Sequence, residues 1–424
     1  MALSYTSLAY LEGSSVDISY PPDVEGFRAE VKGVLAEELP EAWSGLGAIA
    51  DAEATTAFVK NWRRTLYRRG LLGVAWPVEY GGRGLTKLHQ VVLVEELTKA
   101  GLPFGEQPAD STGVKMLGNT LLHYGTDAQK AAILPGLLSG EQRWCQGFSE
   151  PGAGSDLASA RTRAVLDGEE WVLDGQKIWT SGAQTSTGIF VLARTDPDGA
   201  KHRGLSFLLV SLDQPGIDIR PIKHMAGGSE FCEVFFTGAR APKDNVVGEV
   251  NGGWNVAKTL LTFERGEEAA TNPLLFRAEI ERLRELARTS GRADDPVIRQ
   301  RLAWCFARVE IMRYLGYRIL TEVLSGAEMG PAASVSKLYW SEYHRVATQL
   351  ALDMQGLSGL DLHGKAPTRH FRADEPGSDP SSTRSWWQVS LNARAGTIYA
   401  GTSEVQRNIL AELALGLPRE PAVS

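Results

Sequence analysis

A helical N-terminal domain, an antiparallel β domain and a C-terminal helical bundle are predicted for this chain of 424 residues. Three observations predict them. Apolar residues recur at helical spacing up to about Leu138, short β-branched and aromatic runs broken by Asp-Gly pairs follow Cys145, and the helical period returns from about Asn251. The expected divisions are an arm over 1–22, a helical domain over 23–144, a β domain over 145–250 and a bundle over 251–424. With 43% hydrophobic and 22% charged residues, a chain of this length can bury more than one core.

The arm, Met1 to Tyr20, lacks a basic stretch followed by an apolar one and ends at Tyr20-Pro21-Pro22, so it does not read as a signal peptide. In the first domain Phe27, Val31, Val34 and Leu35 mark one helix, and Leu88, Val91, Val92, Val94 and Leu97 another. Trp76 to Gly84 holds a proline and three glycines and must be a loop. In the β domain the expected strands are Glu170–Leu173, Ile178–Ser181, Gly188–Arg194, Leu205–Ser211 and Glu230–Phe236, with turns at Asp167-Gly168, Asp174-Gly175 and Asp198-Gly199. They are spaced too tightly for crossover helices, so the sheet is mainly antiparallel.

Four long helices are expected in the bundle. The first carries Val256, Leu260, Leu261 and Phe263. The second begins at Asp295-Pro296, an N-cap followed by a first-turn proline. The third runs from about Ser334 to Met354, with Leu338, Trp340, Tyr343, Val346 and Leu350 on its apolar side, and the fourth includes Thr402 to Leu415. Gly364 to Arg384 reads as an irregular loop.

The formal charge of −7 gives no basic footprint for phosphate backbones, which argues against a nucleic-acid partner. Cys145, Cys232 and Cys305 have no metal-ligand or disulfide-framework spacing, so no metal is expected and a reducing cytoplasm fits. No apolar run approaches the roughly 18 residues of a membrane span.

Three segments carry the chemistry. Phe148-Ser149-Glu150-Pro151-Gly152-Ala153-Gly154-Ser155-Asp156 lets backbone amides approach a ligand and offers two hydroxyls, though an ordinary helix-to-strand turn has the same composition. It lacks the third glycine of a dinucleotide fingerprint. Asp174-Gly175-Gln176-Lys177-Ile178-Trp179-Thr180-Ser181-Gly182 ends a strand in a ring and two hydroxyls; Trp179 by itself reads more often as core than as a ligand contact. In Tyr399-Ala400-Gly401-Thr402-Ser403-Glu404-Val405-Gln406-Arg407-Asn408, Gly-Thr-Ser breaks the chain before a helix and reads equally as a ligand segment or an ordinary N-cap.

Together, in this order and with this layout, the three segments resemble the acyl-CoA dehydrogenase family over nearly the whole chain. The resemblance implies flavin adenine dinucleotide (FAD), an acyl thioester substrate carried on coenzyme A or an acyl carrier protein, and removal of two hydrogens from the carbons α and β to the carbonyl. It implies that Gln146, Phe148 and Ser149 line the flavin, that Ser155 reaches the boundary with the pantetheine arm, that Trp179 packs on the isoalloxazine, and that Ser181, where the family usually has threonine, hydrogen-bonds N5. It further implies that Gln355, Ser358 and Gly359 reach a neighbouring subunit's cofactor, that Thr402 and Glu404 flank it, and that the Ala400 amide donates to the thioester oxygen. A shared site implies an oligomer, either a homodimer or tetramer or a heteromer, with an electron-transferring flavoprotein as acceptor.

The pattern breaks at Ala400, where the commonest branch has the glutamate that removes the α-proton. Isovaleryl-CoA and long-chain relatives carry that base on the first bundle helix, immediately before an arginine. The matching segment here is Leu260-Leu261-Thr262-Phe263-Glu264-Arg265-Gly266. Glu264 is the expected base, spaced i+4 and i+3 from Leu260 and Leu261, with Glu267 or Glu268 as substitutes. Arg265 matches the arginine that holds the substrate arm. Pro273 is expected to kink or interrupt that helix. The Arg-x-x-Phe-Gly element is replaced by Ala287 to Arg292, where Arg288 stands in as the cofactor-facing cation. These departures resemble bacterial branches that process bulky, branched or ring-bearing acyl groups, some built from two unlike chains. Two alternatives therefore accompany the dehydrogenase reading: a non-catalytic or half-site subunit of a heteromer, and an oxygen-using oxidase.

Overall fold

The computed structural model describes residues 20–46, 49, 52–324, 332–357 and 383–419; the side chains of 52, 262–270, 323–324 and 383–385 lie outside the described set. The expected arm up to residue 19 and most of the loop Gly364 to Arg384 also fall outside it.

The first part of the chain is helical: α1 (Pro22–Glu38), α2 (Ala52–Arg68), α3 (Lys87–Lys99), α4 (Asn119–Tyr124) and α5 (Asp127–Ser139). α1 starts on a proline and buries Val24, Phe27, Val31 and Val34. α3 is buried on nearly every side, including Glu95 and Glu96; Arg28 bridges the two carboxylates, and Lys99 supplies a second cation to Glu96 at 2.7 Å. The Trp76–Gly84 loop turns through Gly81 at φ 84°, and Gly82 lies so close to the Trp76 carbonyl that a Cβ would meet it at 2.1 Å.

Seven strands follow: β1 (Trp144–Gly147), β2 (Arg163–Asp167), β3 (Glu170–Ser181), β4 (Gly188–Arg194), β5 (Leu205–Ser211), β6 (Ile217–Ile222) and β7 (Phe231–Pro242). The sheet order is β1-β4-β2-β3-β7-β6, with β5 also paired to β4. Pairing is antiparallel except where β4 meets β1 and, at one residue pair, β2. Two expectations are corrected. Glu170–Leu173 and Ile178–Ser181 are one continuous strand, so Asp174-Gly175 is no hairpin: it sits mid-strand at a register shift, with Gly175 at φ 148° against Thr162. Strands β1, β2 and β6 were not expected; β6 is a half-exposed edge strand containing Pro221, with too weak an alternation to read.

The C-terminal part comprises α6 (Gly253–Thr289), α7 (Pro296–Leu324), α8 (Ala332–Gln355), α9 (Thr383–Ala395) and α10 (Ser403–Ile409). α6 continues through Pro273, so the interruption expected there does not occur. Asp295 caps α7 by accepting from the Val297 amide at 2.9 Å. The fourth helix of the bundle is α9, which adds Trp386 and Val389 to the core; the expected helix Thr402–Leu415 is the short α10 and a π-helical turn, Leu410–Ala414. Leu338 and Val346 of α8 are half-buried, whereas its buried face includes Lys337, Ser341, His344 and Thr348.

The apolar core of the first domain continues onto one face of the sheet through Phe148, Phe190, Phe207 and Leu209 and onto the start of α6 through Val256, Ala257 and Leu260. The other face of the sheet and the bundle have separate cores. No described helix is long and apolar enough to cross a membrane, and no metal-ligand cluster occurs among the described residues. The three cysteines are buried thiols.

Candidate active site

The segment after β1 is shaped by one buried ion pair. The Glu150 carboxylate accepts from the amides of Arg161 at 2.7 Å and Thr162 at 2.8 Å, and from Lys177 Nζ at 2.7 Å. Lys177, fully buried on β3, also donates to the carbonyls of Phe148 at 3.0 Å and Leu192 at 2.8 Å. One ammonium thus ties together the loop, β3 and β4. Burial pushes Lys177 down to about 8 while Glu150 pulls against it. Burial pushes Glu150 up, but the Lys177 charge and the amide donors outweigh it and hold the carboxylate below its ordinary range.

Two residues beyond Lys177 the pairing of β3 with β7 slips, and Trp179 takes the left-handed conformation at φ 61°. The extra residue breaks the in-out alternation: Lys177 and Thr180 both face inward, and Trp179 is 56% exposed. A bulky side chain in this region of φ is costly, and such outliers gather at ligand sites. Its ring meets Phe231 edge-on at 6.1 Å. The Ile178 amide donates to Ser149 O at 2.9 Å, which brings Ser149 beside Trp179. Gln146 and Ser181 are half-buried and Ser155 is exposed. The Phe148 ring is buried edge-on between Phe190 and Phe207, so only its backbone faces the loop.

The second group lies in the bundle. Ala400 stands at φ 51° and Gly401 at φ 89° in the turn before α10. Thr402 caps α10, its hydroxyl accepting from the Val405 amide at 3.1 Å. Glu404 is exposed and paired with Arg407. Gln355, at the end of α8, is buried with neither end of its amide paired among the described residues. Arg288 is exposed and paired with Glu285 at 3.2 Å. Glu264, Arg265, Glu267 and Glu268 lie on α6 with side chains outside the described set, as do Ser358 and Gly359 entirely.

Family profiles described as the acyl-CoA dehydrogenase N-terminal, middle and C-terminal domains match residues 21–141, 145–239 and 251–415. The chain belongs to the acyl-CoA dehydrogenase family. Acyl-CoA dehydrogenase IpdE1 of Mycobacterium tuberculosis is 43% identical over 94% of this chain and 99% of its own length. A solved structure named the Tcur3481-Tcur3483 steroid ACAD superposes with a TM-score of 0.77 at 34% identity, covering 95% of this chain and 100% of that one. The ChsE4-ChsE5 complex from Mycobacterium tuberculosis does so with a TM-score of 0.75 at 30% identity, with the same coverage. Family membership makes the protein a flavoprotein oxidoreductase of lipid metabolism that dehydrogenates acyl thioesters.

Glu150 and Lys177 lie inside the sequence motifs, yet neither stands out there as a functional residue. The available signal was a lysine at the inward parity of an apolar-alternating strand, a position that only a buried partner permits. Lys337 and Gln406, which bond the turn around Ala400, were likewise missed.

Proposed function

We propose that the chain is the FAD-binding subunit of an acyl-CoA dehydrogenase for bulky, ring-bearing acyl thioesters, with Glu264 as the base. The observation that carries this is Trp179, a large ring held outward in strained backbone beside Ser149 and Ser181. The buried, unpaired amide of Gln355 suits a polar group brought by a cofactor, since leaving it unmet costs about 1–3 kcal/mol. Gln146, Phe148, Ser149, Ser155, Trp179 and Ser181 would hold FAD from the β domain, and Arg288, Gln355, Ser358, Gly359, Thr402 and Glu404 from the bundle. When bound, the flavin supplies the acceptor for the hydride leaving the β-carbon.

The chain's own residues do the rest. The Ala400 amide donates to the thioester oxygen and favours the enolate-like transition state. Glu264 removes the α-proton, while Ser155 and Arg265 orient the substrate arm. The product is the 2-enoyl thioester, and the electrons pass to an electron-transferring flavoprotein. Ring-bearing substrates are supported by the likeness to a structure named a steroid ACAD. The division at 22, 144 and 250 and a cytoplasmic location, which suits three free thiols, belong to the same reading.

Anaerobic mixing with steroid-type and straight-chain acyl-CoAs tests it. Flavin bleaching is expected with the ring-bearing thioester, and Glu264→Gln should retain flavin while losing about 10²–10⁴-fold in rate. Bleaching by no thioester in flavin-loaded protein overturns the reading.

Ala400 favours a second reading, a half-site subunit that needs an unlike partner, and both similar solved structures carry paired names. A pure chain that gains flavin only with a second chain decides for that arrangement. A flavin-replete, active homo-oligomer decides against it.

A further inference from the structure

The assignment of the Ala400 amide to the thioester oxygen leaves open what aims it. Among the described residues that N–H donates to no protein acceptor. The peptide units on either side are committed: the Tyr399 amide donates to Ala395 O at 3.1 Å, the Ala400 carbonyl accepts from Gln406 Nε2 at 3.0 Å, and the Gly401 carbonyl accepts from Lys337 Nζ at 2.6 Å. Because peptide units are planar, fixing the units before and after leaves the one carrying the Ala400 N–H little freedom. Both donors are deeply buried, Lys337 at 4% exposure and Gln406 at 0%. The Lys337 ammonium is held against this turn by its bond to the Gly401 carbonyl. Its position also puts a positive charge near the point where negative charge grows on the thioester oxygen, and Nζ stands 5.9 Å from the Tyr399 ring centre at the start of the same turn.

We propose that Lys337 and Gln406 are positioning residues for the reaction, clamping the Tyr399–Thr402 turn so that the Ala400 N–H is preorganised toward the thioester carbonyl. This rests on the dehydrogenase reading above and adds to it the part of the bundle that makes the amide effective.

The test uses flavin-loaded protein, with its partner chain if one is required, and a conjugated aryl-enoyl-CoA whose absorption moves to the red when its carbonyl is polarised. Wild type is expected to shift the probe. Lys337→Met and Gln406→Leu should each lose at least half of that shift and roughly 10–100-fold in kcat, with KM changed less than about threefold. Lys337→Arg should recover most of both. A merely structural role would lower Tm without moving the bound probe's spectrum. If Lys337→Met sheds its flavin, Lys337→Gln, which keeps a donor without the charge, is read in its place. An undiminished shift in the lysine and glutamine variants, with wild type shifting the probe, overturns this inference alone. A wild type that bleaches with substrate but never shifts the probe overturns the role of the Ala400 amide, whereas absence of bleaching overturns the dehydrogenase reading itself.

Discussion

Trp179 and Ala400 are both left-handed residues within the site segments, yet the protein holds them by different means. Trp179 lies in a bulge between paired stretches of β3 and β7, so its conformation is imposed by backbone hydrogen bonds on both sides. Ala400 lies in a turn between helices whose carbonyls are caught by the side chains of Lys337 and Gln406. A conformation written in a ladder resists side-chain substitution, whereas one written in side-chain donors can be loosened a bond at a time. The β domain should therefore fail cooperatively and the turn by degrees.

The largest expected effect breaks the β side of that comparison. Lys177→Met removes the ammonium bonded to the buried Glu150 carboxylate and should destabilise the protein by about 3–5 kcal/mol. Measured by urea unfolding, the double variant Lys177→Met/Glu150→Leu should recover part of that loss, since it no longer strands a charge. A single variant as stable as wild type would show that the pair does not hold the loop.

The same pair predicts a pH dependence. Glu150 has a folded pKa below its ordinary 4.5, so at acid pH the unfolded chain binds the proton more readily. The stability it contributes is present above that ordinary value and is lost as pH falls through the depressed one. Glu150→Gln should cost about 1.5–3 kcal/mol at pH 7. The gap between variant and wild type should close on acidification, as read from urea midpoints at a series of pH values.

Much of this was legible in the sequence because it rests on local pattern. The Phe27–Val31–Val34 stripe, the Asp295 cap and the strand Gly188–Arg194 each follow from spacing or cap chemistry alone, and all three occur. The hairpin expected at Asp174-Gly175 failed because a glycine with positive φ serves a strand distortion as well as a turn. Helix α9 was missed because its core residues, Trp386 and Val389, follow a sequence rich in Pro, Ser, Asp and Gly that carries no clear helix start signal. For the site, the exposed half of the motifs was readable as chemistry, but the buried supports were not. Glu150 finds Lys177 across 27 positions and Lys337 finds Gly401 across 64, separations that no local pattern encodes.

A smaller effect tests the turn. Thr402→Ala deletes the hydroxyl that caps α10 and should cost about 1 kcal/mol, with Thr402→Ser restoring most of it. Among the described residues no hydrogen bond or ring contact joins Trp179 to α10, so hydrogen exchange over residues 170–181 in flavin-free protein should stay with wild type while exchange over residues 399–409 quickens. A matching shift of both probes would merge the two regions into one cooperative unit.

The smallest effect has the opposite sign. A non-glycine left-handed residue costs roughly 1–2 kcal/mol, and glycine removes that cost, whereas the added freedom of glycine in the unfolded chain takes back about 0.4–1 kcal/mol. Ala400→Gly at φ 51° should therefore leave the protein unchanged or stabilise it by up to about 1 kcal/mol. The same substitution at Trp179 would remove a ring as well as strain, so only position 400 separates the two contributions. If the turn is aimed by Lys337 and Gln406, the glycine variant should keep most of its kcat, because both carbonyls remain held. A large loss of kcat at unchanged or improved stability would instead mean that the alanine's own restricted φ does the aiming, and that strain at position 400, like that at Trp179, is maintained by the backbone.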